Sequence, residues 1–192
     1  MKKWLIAIGV LVIIGFWFSG MYNSMVEKQE TVTQTWANVE TQYQRRADLI
    51  PNLVNTVKGY AEHEQQTLTA VVEARSKATS VNIDPSNMTQ SDIQNFSAAQ
   101  GGLGSALSRL MVVVEKYPDL KANENFLQLQ AQLEGTENRI SVARKDFNDV
   151  SKDYNAYVKK FPRVIFAGMF GFNEKPYFES KEGTDVAPEV QF

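Results

Sequence analysis

The chain has no cysteine and a single histidine, His63, among its 192 residues. Without thiols there is no thiolate catalysis, no iron–sulfur ligation, no disulfide and no cysteine-linked lipid anchor. With one imidazole, any serine triad depends on His63, and no serine has a lysine three residues downstream. Charge of one sign is also missing. A formal net charge of -2 carries neither the basic footprint of a nucleic-acid binder nor a funnel for acidic substrates. His63-Glu64 begins like a zinc-protease helix, but the second histidine position holds Thr67. Gly101 to Arg109 lacks the Gly-Lys-Ser/Thr ending of a phosphate loop, and no strand pattern precedes it. Glu62, Glu64 and Glu73 could pair as carboxylates, but acids scattered on helices form a solvated face. These absences predict no catalytic, cofactor-binding or metal site.

Charge is missing locally as well. After Lys2 and Lys3 no formal charge occurs from Trp4 to Val26, a length that crosses a bilayer as a helix. Trp4 at one end, with Trp17 and Tyr22 near the other, suits the aromatic belt, and the lysines favour a cytoplasmic start. Ser19 and Gly20 are small enough to suggest cleavage, but there is no A-x-A pattern. The segment is apolar on every face and is read as an anchor over residues 1–26.

What is abundant is helical periodicity. From Asp119 to Phe161 the residues Leu129, Leu133, Thr136, Ile140, Ala143, Phe147, Val150, Tyr154, Tyr157 and Phe161 mark one face of a helix roughly 60 Å long. A helix of that length needs long partners. Val32, Trp36, Val39 and Tyr43 continue the pattern beyond the anchor. Pro51 interrupts it, as a turn or as a kink within one helix, and Asp48 could cap a new helix. The stripe resumes from Leu53 to about Ala78, with Gly59 a weak point. A loop from Val81 to Ser91 follows, and Ser91 with Gln94 resembles a capping box. A third stripe runs from Phe96 to Tyr117, where Gly101, Gly102 and Gly104 suggest close helix approach or local weakening. Pro118 and Asp119 form the next turn.

Pro162 ends the last helix, and a short apolar run follows. Within it Ile165, Phe166, Met169, Phe170 and Phe172 suit either capping of the core or contact with membrane or a neighbouring subunit. From Asn173 to Phe192, with Pro176, Gly183 and Pro188, the chain reads as an extended arm.

Several runs are similar to the LemA family of bacterial membrane-anchored helical proteins. They include Trp36-Ala37, Arg45-Arg46-Ala47-Asp48-Leu49-Ile50-Pro51-Asn52-Leu53-Val54, Val57-Lys58-Gly59-Tyr60-Ala61-Glu62-His63-Glu64 and Tyr117-Pro118-Asp119-Leu120-Lys121-Ala122-Asn123. Thr136-Glu137-Asn138-Arg139-Ile140, Ala143-Arg144, Phe147-Asn148-Asp149, Tyr154-Asn155, Phe161-Pro162 and Gly171-Phe172, with Tyr22-Asn23 after the anchor, complete the match. The resemblance implies an all-α chain. A transmembrane helix would lead into an up-and-down antiparallel four-helix bundle over residues 27–161, with the apolar segment and arm over 162–192. It favours a turn at Pro51 and supplies no catalytic motif. Arg45, Arg46, Asp48, Glu137, Asn138 and Arg139 either brace turns or form an interaction surface. The expected role is a non-enzymatic scaffold in a bacterial plasma membrane, with a cytoplasmic N-terminus and the bundle outside. Its partners would be the lipid bilayer, further copies of the chain and an envelope protein, with no nucleic acid. A sensor or adaptor module is the alternative.

Overall fold

A computed structural model describes residues 2–179. It is all-helical there, with six α-helices and no strand among the described residues. α1 spans Lys2–Lys58, α2 Gln65–Ser80, α3 Gln90–Val114, α4 Pro118–Lys121, α5 Glu124–Lys159 and α6 Arg163–Phe170. The part of the expected arm that includes Gly183, Pro188 and Phe192 lies outside the described residues.

The expected turn at Pro51 is not there. α1 runs through it for 57 residues, roughly 85 Å at 1.5 Å per residue. Proline lacks the amide that would bond the carbonyl four residues back, which leaves the Ala47 oxygen without its helical donor. Arg75 of α2 supplies the replacement, its Nε donating to that oxygen at 2.7 Å. Burial reinforces continuity, because Ile50, Leu53 and Val57 keep one face in the core on both sides of the proline. Asp48 caps nothing and instead accepts from Gln44 Nε2 at 2.7 Å.

The break falls one turn past Val57, inside the stretch read as a single helix from Leu53 to Ala78. Tyr60 and Ala61 both donate backbone N–H groups to the Val57 carbonyl. A 3-10 turn, Glu62–Glu64, then leads into α2. The capping box before α3 is also displaced from the expected pair: Thr89 and Asp92 exchange the two bonds. Pro118 opens the short α4 at its first turn, and the Asn123 side chain caps α5 by accepting from Phe126 N at 3.0 Å.

Directions follow from paired contacts. Lys28 meets Tyr157, Trp36 meets Phe147 and Arg46 meets Glu137, so α1 and α5 are antiparallel. Glu64 meets Tyr117 and Ala78 meets Gln100, so α2 and α3 are antiparallel too. Leu133, Ile140, Phe147 and Tyr154 are buried as the α5 stripe requires, and Phe147 packs on Trp36. Phe161, the last residue of that expected stripe, is instead 81% exposed, because α5 stops at Lys159.

The buried side chains form two clusters. One gathers Met25, Trp36, Phe96, Phe147, Tyr154 and Phe178 near the apolar end of α1. The other gathers Ile50, Leu53, Val71, Leu103, Leu110 and Phe126 at the far end.

Candidate functional site

Arg46 sits between the two clusters, 4% exposed. One guanidinium nitrogen donates to Glu137 Oε1 at 2.6 Å, and the other donates to Gln100 Oε1 at 2.6 Å and to the Gln100 carbonyl at 3.2 Å. Gln100 passes the link on, its Nε2 donating to the Ala78 carbonyl at 3.1 Å. One interior cation therefore ties α1, α3 and α5 together, and through Gln100 reaches the end of α2. Its charge is tolerated because Glu137 neutralises it while remaining half in water.

The six residues read as an interaction surface fall in three places. Arg46 and Glu137 border a groove of about 830 Å³ between α3 and α5. Arg45 and Asp48 border a second hollow, between α1 and the end of α2. Asn138 and Arg139 border a shallow third one beside Thr35 and Asn38. Gly101 and Gly104 line the α3–α5 groove. No atom lies within 4 Å of a Cβ built on any of the three α3 glycines, so close helix approach does not explain them.

The extended segment after α6 is held by side-chain amides. Asn155 Oδ1 accepts from Lys175 N at 2.8 Å while its Nδ2 donates to the Lys175 carbonyl at 2.8 Å. Asn148, two turns earlier on α5, makes the same reciprocal pair with Phe178 at 2.8 Å each. Gln90, at the start of α3, brackets Tyr177 in the same way. These amides act as a ladder partner for an extended segment that has no sheet. They seat Phe178 on Trp36, stacked at 6.0 Å, and under Arg144 at 4.6 Å. Lys175 is buried and its Nζ donates to the Pro85 and Ser86 carbonyls. Burial lowers its pKa, partly opposed by Asp84. The Tyr154 phenol, buried with no partner for its hydroxyl, is pushed up to about 12.

Gln100 and Arg75 were not singled out from the sequence, and Asn148 and Asn155 entered only within family-like runs, with no role assigned. A signal for two of them existed, since Gln100 and Asn155 are polar residues at core-facing positions of otherwise apolar stripes.

At the other end, the first part of α1 exposes Trp4, Leu5, Ile6, Leu11, Phe16 and Trp17 along its length. It is the one described helix long and apolar enough to cross a membrane. α6 folds back on it. Phe166 meets Phe18 edge to face at 4.5 Å, and Phe170 and Phe172 meet Tyr22 at 5.3 and 5.5 Å. Phe172 is buried, whereas Ile165, Met169 and Phe170 stay exposed. Gly171, at φ 77, makes the return, with Phe172 N bonded to the Ala167 carbonyl at 2.9 Å.

The LemA family pattern matches residues 35–192. The chain belongs to the LemA family. It is 30% identical to magnetosome protein MamQ 2 of Paramagnetospirillum magneticum, over 95% of this chain and 74% of that protein. It is 27% identical to magnetosome protein MamQ of Magnetospirillum gryphiswaldense, over 97% of this chain and 76% of the other. Protein LemA of Metamycoplasma hominis is 21% identical, over 87% and 73% respectively. Within this LemA-family chain the Pro51 motif lies on an unbroken helix. The family and the apolar helix together indicate a membrane-associated helical protein.

Proposed function

We propose that this LemA-family chain is a non-enzymatic, single-pass membrane scaffold. In this reading α1, α2, α3 and α5 form an up-and-down antiparallel four-helix bundle that self-associates beside the membrane. The observation that carries it is the continuity of α1, which passes from the apolar segment into the core without a hinge. A bundle joined rigidly to its anchor holds one orientation to the bilayer, and that suits repeated lateral contacts between copies. Lys2 and Lys3 favour an N-terminus in the cytoplasm of a bacterial cell and a bundle outside. α6 adds a second lipid contact through Ile165, Met169 and Phe170, each worth roughly 1.5–3 kcal/mol if fully removed from water. The measurement is the mass of the detergent-solubilised full chain by light scattering. A strict monomer at all concentrations would sink the scaffold.

A sensor or adaptor role is the second reading, and the α3–α5 groove favours it. Its walls carry small residues on α3 and both polar and apolar ones on α5, a shape that a partner's helix could enter. Substituting Gly104→Leu would block that partner while leaving self-association intact.

A further inference from the structure

Near the apolar end of the bundle, two cations share one aromatic ring. The Arg163 guanidinium carbon lies 3.9 Å from the centre of the Tyr157 ring, and Lys28 Nζ lies 5.2 Å from it. Neither forms an ion pair or a side-chain hydrogen bond among the described residues. Lys159 differs, being neutralised by Glu174 at 2.6 Å. From Tyr157 to Asn173 the chain holds Lys159, Lys160 and Arg163 and no carboxylate; on α1 the acidic residues beside Lys28 are Glu27 and Glu30.

Depth gives these charges a meaning. Lys28 comes two residues after Val26, where the uncharged run ends, so it sits about 3 Å further along the helix axis. A bilayer's hydrocarbon is about 30 Å thick and the run from Trp4 slightly exceeds it, which puts Lys28 in the headgroup layer. α6 lies deeper, because Phe166 touches Phe18 and Phe170 touches Tyr22. Arg163 leaves that deeper helix and reaches back to Tyr157, as a snorkelling side chain does. A guanidinium stacked on a ring keeps its N–H donors pointing outward in its own plane, free for an anion.

We propose that Lys28, Tyr157 and Arg163 form a binding site for the phosphate of an anionic phospholipid. Lys28 and Arg163 supply the charge and the donors, Tyr157 fixes their spacing, and α6 lies among the acyl chains beneath. The inference rests on the membrane reading above.

The test uses the full chain in liposomes, with spin-labelled phosphatidylglycerol or phosphatidylcholine reporting the lipid held at the protein surface. The native chain should hold phosphatidylglycerol about fivefold more strongly, given the typical attraction of one basic residue near a charged surface. Lys28→Gln with Arg163→Gln should bring the two lipids to parity, while Lys28→Arg with Arg163→Lys keeps the preference. Should the glutamine pair lose helicity by circular dichroism, Arg163→Gln alone is read in the same way. Parity in the native chain, or a preference untouched by the glutamines, overturns the site. Excess inorganic phosphate that abolishes the preference, where chloride of equal ionic strength does not, would assign the site to free phosphate and overturn the lipid. A chain that fails to float with phosphatidylcholine liposomes overturns the membrane reading along with this site. A chain that floats but shows no preference overturns the site alone.

Discussion

The two ends of the core are built from different side chains. The cluster near the apolar segment is aromatic, with Trp36 packed on Phe96 and Phe147 edge to face and on Phe178 in a stack. The far cluster is almost wholly aliphatic, with Phe126 as its buried phenylalanine. The far end is also closed locally, by the 3-10 turn after α1 and by α4 before α5. The near end is closed from a distance, by α6 and by an extended segment that returns to α1, α3 and α5. Between them the Arg46, Gln100 and Glu137 contacts interrupt the apolar packing. An aliphatic core can be sealed by neighbours in sequence. A core built around one large indole needs a shaped cover, and Phe178 is that cover.

This contrast is sharpest at Trp36. Trp36→Ala should cost about 3–5 kcal/mol in urea unfolding and free the Lys175–Phe178 amides to exchange, while amides around Leu103 and Leu110 stay protected. Equal loss of protection at both ends would mean that the halves form one cooperative unit. Asn148→Ala removes two bonds to Phe178 and should cost about 2 kcal/mol, again confined to the near end. An unchanged melting temperature would show that the arm is held by its apolar contacts alone.

The smallest effect concerns acid. Asp84 and Asp92 both lie in or beside the loop before α3, and both have lowered pKa values. Asp84 owes this first to the Ser86 backbone N–H, and Asp92 first to the Thr89 side chain. A carboxylate whose folded pKa lies below its unfolded one adds stability at neutral pH. That stability fades as pH falls through the ordinary aspartate range to the folded value. Mild acid should therefore loosen the near end first, seen as a small drop in melting temperature that Asp92→Asn abolishes in part. An acid response confined to the far end would contradict this ordering.

Much of the architecture was legible in residue spacing. The uncharged run at the start, the α5 stripe through Phe147 and Tyr154 and the loop before α3 follow from periodicity and length, whereas α5 ends at Lys159, short of the stop expected at Pro162. The site was less legible. Arg46 stands out in its motif as either a turn brace or a surface residue, because a single sequence does not show that Gln100, fifty-four positions away, lies ready to receive it. Asn148 and Asn155 stand in family-like runs, but those runs do not show what they bind, since both hold backbone groups, which every residue possesses.

A helical chain with one apolar end and one dominant stripe follows from residue order alone, since both depend on neighbours three and four residues apart. Where the first helix stops and what covers the aromatic core depend instead on packing between distant segments. Pro51 weakens its helix whatever surrounds it, but the orphaned Ala47 carbonyl is satisfied by Arg75 from another helix. A distant donor therefore turned a sequence-level break into a continuous stem.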